Sequence, residues 1–97
     1  MSIAIDHAEL RSCATTYQRA CEEIARFKAD IDRTNANMSG YWKGGAFDGY
    51  MATYNDVVCP AIDAMEKGMS TCCENLNNYA NVVEERDAAD DRAFRQV

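Results

Sequence analysis

A chain of 97 residues, 47% hydrophobic and 27% charged, has the make-up of a single soluble domain. Its net charge of −6 is the wrong sign for nucleic acid or an anionic membrane, both of which are held by clustered Lys and Arg. One Pro and five Gly are too few for a loop-rich or all-β fold, which needs turn residues at short intervals.

No segment reaches the roughly 20 apolar residues of a membrane span. The start, Met1-Ser2-Ile3-Ala4-Ile5-Asp6, has neither the basic region nor the apolar stretch of a cleavable leader. Taken alone, these observations predict a cytoplasmic protein.

Asp6 and Glu9 form D-x-x-E, a capping-box variant, with Ile5 and Leu10 at the hydrophobic-staple positions around it. The first helix is therefore predicted to span about 7–39. Leu10, Tyr17, Ile24, Ile31 and Met38 recur every seven residues, each followed three residues on by Cys13, Ala20, Phe27, Thr34 or Tyr41. This is an a/d seam, and it assigns Leu10, Tyr17, Ile24, Phe27 and Ile31 to the core or a dimer face. Ala14 and Cys21 widen the stripe, as in a bundle with contacts on two sides. Arg11, Glu22, Arg26, Asp30 and Arg33 form the solvated back.

A turn is predicted at about 40–45 and a second helix at about 46–86. Phe47, Tyr50, Met51 and Tyr54 begin its apolar spacing; Val58, Ile62, Met65, Met69, Cys72, Leu76, Tyr79 and Val83 continue it in alternating steps of four and three. From this run Ile62, Met65, Met69 and Leu76 join the expected seam. Pro60 removes a backbone hydrogen bond to the Asp56 carbonyl and crowds that turn. A kink or local break is expected between Asp56 and Pro60, without ending the helix. Residues 84–97 form an acidic, Ala-rich tail in which the seam stops, so fraying is expected there.

These elements predict a single all-α domain over residues 1–97, a hairpin of two long antiparallel helices. A lone hairpin buries one strip per helix and leaves the rest of each stripe wet. A second hairpin would cover it, giving a four-helix bundle with helices crossing near 20°.

The turn reads Gly40-Tyr41-Trp42-Lys43-Gly44-Gly45. Its glycines allow a tight reversal, and Trp42 offers a flat surface to close the end of the bundle. Trp42-Lys43-Gly44 is also W-x-G at mid-chain between two amphipathic helices. With Glu9-Leu10-Arg11, Tyr17, Ala46-Phe47, Tyr50, Tyr54 and Pro60, the chain resembles, over nearly its whole length, the WXG family of early secreted antigenic target-like proteins.

That resemblance implies a hairpin that dimerises into an antiparallel four-helix bundle and, without signal-peptide cleavage, is exported as a folded dimer by a type VII (ESX-like) secretion system. The protein would then be a secreted effector or co-export carrier, with an extracellular or cell-surface destination. The implied partners are a second copy or a WXG paralogue, an FtsK-like secretion ATPase that reads the C-terminal tail, and a larger co-exported toxin. An intracellular adaptor or chaperone for a toxin's helical domain is the alternative. In the tail, the Y-x-x-x-[DE] signal is not met, because Val83 stands four residues after Tyr79. A broader Gram-positive form falls on Val83, Asp87 and Phe94, although Asp90 occupies its intermediate hydrophobic position.

Five Cys cannot all pair within one molecule. With the reversal at residues 42 and 43, Cys13 faces Cys72. The pair reads either as buried thiols serving as small hydrophobes or as a disulfide clamp formed outside the cell. Cys72 and Cys73 point about 100° apart on a helix, no C-x-x-C is present, and the sole His7 is remote in sequence, so no metal site is expected. Neither a phosphate loop nor an oriented Cys/His dyad is present. The expectation is a protein without enzymatic activity, cofactor or small-molecule substrate.

Overall fold

The computed structural model describes residues 5–95, leaving out the side chain of Phe94. Helix α1 runs His7–Met38, α2 Gly45–Thr53 and α3 Cys59–Arg95, with a π-helical turn over Tyr54–Val58 joining α2 to α3. Asp6 caps α1: its backbone is extended and its carboxylate accepts from the Ala8 N–H at 3.0 Å, satisfying one of the helix's orphan donors.

Backbone angles stay in the right-handed helical region at Thr53, Tyr54 and Cys59. The second arm is thus one continuous helical run whose local break is a π turn over Tyr54–Val58, overlapping the Asp56–Pro60 stretch where a kink or break is expected. Pro60 explains its position. The Cys59 N–H reaches back to the Tyr54 carbonyl, and this five-residue bond widens the turn just ahead of the proline ring.

The second arm also continues past the expected end near residue 86, reaching Arg95. Ala88, Ala89 and Ala93 are strong helix formers. An Asp91–Arg95 pair at 3.3 Å links successive turns, and Arg92 and Arg95 complement the helix dipole in the last turn.

The hairpin measures 78 × 22 × 17 Å with a radius of gyration of 22.0 Å, against about 13 Å for a compact domain of about 100 residues. The core is correspondingly thin. Leu10, Ala14, Tyr54, Ala80 and Val83 are its buried hydrophobic side chains; Leu10, Ala80 and Val83 pack together, with Leu76 against them.

The line of α1 turned toward the second arm follows Ala14, Cys21, Lys28 and Asn35, each buried or half-buried, with Leu10, Ile24, Ile31 and Met38 beside it. Cys13, Phe27, Thr34 and Tyr41 of the companion row are exposed. The pairing of the arms also differs from expectation. Leu10 meets Leu76, Ala80 and Val83, about one helical turn beyond the residue that a reversal at 42 and 43 sets opposite it. Ala14 and Ala80 are 1% and 0% exposed, and small side chains such as these let helices approach closely.

Candidate partner-binding surfaces at the turn and along the open face

The turn is built by residues with separate tasks. The Trp42 backbone N–H donates to the Met38 carbonyl at 2.7 Å. The indole is half-buried, edge-on to Phe47 at 5.4 Å and tilted over Tyr50 at 5.9 Å between ring centroids. Gly44 caps α2 with φ 118° and ψ −175°, a conformation essentially reserved for glycine. A Cβ at Gly44 would meet nothing within 4 Å, so the requirement for glycine is conformational and not steric. In the W-x-G triplet, Trp plugs the end of the hairpin and Gly makes the reversal.

Behind the plug, the Tyr50 hydroxyl donates to Asn35 Oδ1 at 2.7 Å and the Tyr54 hydroxyl to Asp32 Oδ1 at 2.6 Å. The bond to the Asp32 carboxylate, joined by desolvation, pushes the Tyr54 hydroxyl from 10.0 up to about 12. Asn35 is 4% exposed and its Nδ2 has no hydrogen-bond partner.

Further along, two shallow apolar grooves lie end to end. One is lined by Cys13, Tyr17, Cys72, Leu76 and Tyr79; the other by Ala20, Ile24, Phe27, Met65 and Met69. On each helix these positions recur in alternating steps of three and four, so both grooves lie on one face. Phe27 is 61% exposed, and Met65 and Tyr79 are each 56% exposed. The expected seam is therefore divided. Leu10 is buried, Ile24, Ile31, Ile62, Met69 and Leu76 are half-buried, and Tyr17, Phe27 and Met65 open outward.

Cys13 and Cys72 share a groove, and in the single hairpin both are free and exposed. The offset between the arms carries Cys13 past Cys72 toward the level of Leu76. Among the described residues, no group of three or more His, Cys, Asp or Glu is arranged to hold a metal ion, and no helix is long and apolar enough to cross a membrane.

Polar contacts line the edge of the open end. Arg11 donates to Glu84 at 2.6 Å and to Asn81 at 2.8 Å, and the Arg11 guanidinium holds the Glu84 carboxyl below its usual range. Asp87 stands 3.7 Å from the His7 ring nitrogen. Lys28 bonds Asp63 at 2.7 Å, which raises the lysine. Of the candidate tail signal, Val83 is buried beside Leu10, Asp87 faces His7, and the side chain of Phe94 lies outside the described residues.

The sequence model of the WXG100 family, described as proteins of 100 residues with WXG, matches residues 2–88. The chain belongs to this family. It is accordingly a small helical protein of the class associated with type VII secretion, whose members are secreted without a cleaved signal peptide. An uncharacterized protein of Clostridium acetobutylicum is 33% identical over 92 residues, covering 95% of each chain. Among solved structures, Geobacillus thermodenitrificans EsxA superposes with a TM-score of 0.84 at 21% identity, over 94% of this chain and 99% of that one. That likeness supports the helical-hairpin fold.

Asn35 and Ala80 escaped the sequence reading although both carried a signal. Asn35 stands four residues after Ile31 and three before Met38, and Ala80 four after Leu76 and three before Val83. Each continues an apolar stripe under a side chain too small or too polar to be counted as apolar core.

Proposed function

We propose that this protein acts as a non-enzymatic helical hairpin that pairs its open apolar face with a second hairpin, another copy or a WXG paralogue. The pair leaves the cell by a type VII (ESX-like) system as an effector or co-export carrier, with the FtsK-like ATPase and a larger toxin as further partners. The observation that carries this reading is the single face holding both grooves, with Tyr17, Phe27, Met65 and Tyr79 open to solvent on a chain whose own core is thin. Large exposed apolar faces of this kind mark interaction surfaces, and an isologous pairing would cover the face on both copies.

Sedimentation of the purified chain together with an export assay in a type VII-positive host tests the proposal. A stable dimer is expected, reduced to a folded monomer and retained in the cell by Phe27→Asp with Met65→Asp. A monomer whose export survives those substitutions would sink the paired-export reading; a loose monomer that is never exported would favour the intracellular adaptor. For the tail, Asp87→Asn with Phe94→Ala tests recognition while leaving the Leu10–Val83 contact in place. Unchanged export of that variant removes the tail assignment.

A further inference from the structure

The open face reads the same from either end. On α3 its row is Met65, Met69, Cys72, Leu76 and Tyr79, with Cys72 in the middle and the outermost members seven residues away on each side. On α1 the row Cys13, Tyr17, Ala20, Ile24 and Phe27 has the same spacing about Ala20. Cys73 Sγ donates to Gln18 Oε1 at 3.7 Å, which sets Ala20 and Cys72 at nearly one level along the rod. Both midpoints are small side chains, so two copies can approach closely there. A two-fold axis running across the rod at this level lays α1 on α1 and α3 on α3. To within one residue, Met65 then meets the partner's Tyr79, Met69 the partner's Leu76, and Cys13 the partner's Phe27.

An axis running along the rod would instead lay α1 on the partner's α3, with both open ends together. Charge decides between the two. The turn half, residues 26–65, carries four Lys or Arg against five Asp, so all but one unit of the net charge of −6 lies in the open half. The crosswise axis separates the two acidic halves, whereas the lengthwise axis sets them side by side, where like charges repel. The exposed charged residues of α1 nearest the crosswise axis, Arg19 and Glu23, are of opposite sign, and the two-fold brings each toward the other's copy. We infer that the pair proposed above is antiparallel and crosses at Ala20 and Cys72, so that the two Cys72 thiols meet at the axis and are joined by a disulfide in an oxidising exterior. This rests on that pairing and adds its register and a covalent lock. Cys13 is no substitute within one chain: it stands about 9 Å along the rod from Cys72, beyond the roughly 7 Å between Cα atoms that a disulfide spans. The oxidant is a small-molecule disulfide. One Cys72 thiolate attacks it and expels one small thiolate; the partner's Cys72 thiolate then attacks the mixed disulfide and expels the second. Two cysteine thiols and one small disulfide thus become one inter-chain disulfide and two small thiols.

The test treats the full chain with oxidised glutathione and reads it by sedimentation, non-reducing electrophoresis and peptide mass mapping. A linked dimer is expected, with the bridge mapped between Cys72 and the partner's Cys72. Thiols held together at an effective concentration in the mM range outpace thiols meeting by diffusion about a hundredfold at about 10 µM chain. Cys72→Ser should therefore reduce the linked fraction at least about tenfold, whereas Cys13→Ser should leave it unchanged. Ala20→Cys on the Cys72→Ser background probes the axis from the other helix and should restore the linked dimer. A chain that sediments as a monomer would overturn the inference together with the pairing itself. A dimer whose bridges avoid Cys72, or whose linkage is unaffected by Cys72→Ser, would overturn the register while leaving the pairing in place. So would Ala20→Cys alone if its new bridge ran to the partner's Cys72, the result expected of the lengthwise axis.

Discussion

The two ends of the hairpin are held by different physics. At the turn, Trp42 sits against Phe47 and Tyr50, and two tyrosine hydroxyls reach α1 across sequence separations of 15 and 22 residues. At the open end, the contacts join residues 70 and 73 apart, and the packed side chains are Leu10, Ala80 and Val83, with Leu76 against them. Closing a longer loop costs more chain entropy, and exposed ion pairs return little of it. The open end therefore depends on a small apolar cluster, whereas the turn end is fixed by local geometry. Since Val83 belongs to that cluster, any partner that reads the tail through Val83 must first loosen the end of the hairpin that is simplest to open.

The sharpest way to break this contrast is Leu10→Ala. It should cost about 2–3 kcal/mol, the low end for a buried leucine, and chemical denaturation measures it. Hydrogen exchange should then accelerate at amides near Val83 while those near Trp42 keep their protection; equal acceleration at both ends would mean the hairpin has no weak end. Gly44→Ala attacks the other end. Forcing a side chain into the φ 118° conformation should cost about 1–2 kcal/mol, and the exchange pattern should reverse, with the turn opening first.

The same contrast explains what could be read from the sequence. Helix type, the position of the reversal and the family motif were legible because each is written locally: the D-x-x-E cap, the seven-residue period and W-x-G all lie within a few turns. The rotation of α1 was not legible. Tyr17 and Phe27 carry the strongest apolar signal, yet Ala14 and Ala80 hold the inner line because close approach favours small side chains. The offset between the arms depends on how the π turn and the loop add length, which periodicity alone does not record. Asn35 was hidden by its polarity, although its spacing places it in the stripe. The tail's helix was missed because the seam stops there while helix propensity does not.

Tyr54→Phe tests the polar part of the turn end. The raised folded-state value means that the Tyr54–Asp32 bond contributes below about pH 10, the ordinary tyrosine value, and is lost as pH rises through about 12. Stability of the unsubstituted chain should thus fall across that alkaline window. The variant should start lower and show less of that fall, and its absorbance titration should lack the phenolate transition with a midpoint of about 12. An unchanged titration would show that the hydroxyl is free in solution.

The smallest effect is expected at Arg11. Its partner Glu84 has a lowered folded-state value, so the pair contributes above the unfolded carboxyl's 4.5 and is lost as pH falls through the lower folded value. Arg11→Gln should lower the melting temperature near neutral pH by less than Gly44→Ala does. The difference should shrink in strong acid, where Glu84 is protonated, and in molar salt, where the screening length falls to about 3 Å. A deficit that persists under both conditions would show that Arg11 acts through its bond to the neutral Asn81 side chain or through its aliphatic stem. The open end would then owe nothing to its ion pair with Glu84, and the difference between the two ends would be wider than its ion pairs suggest.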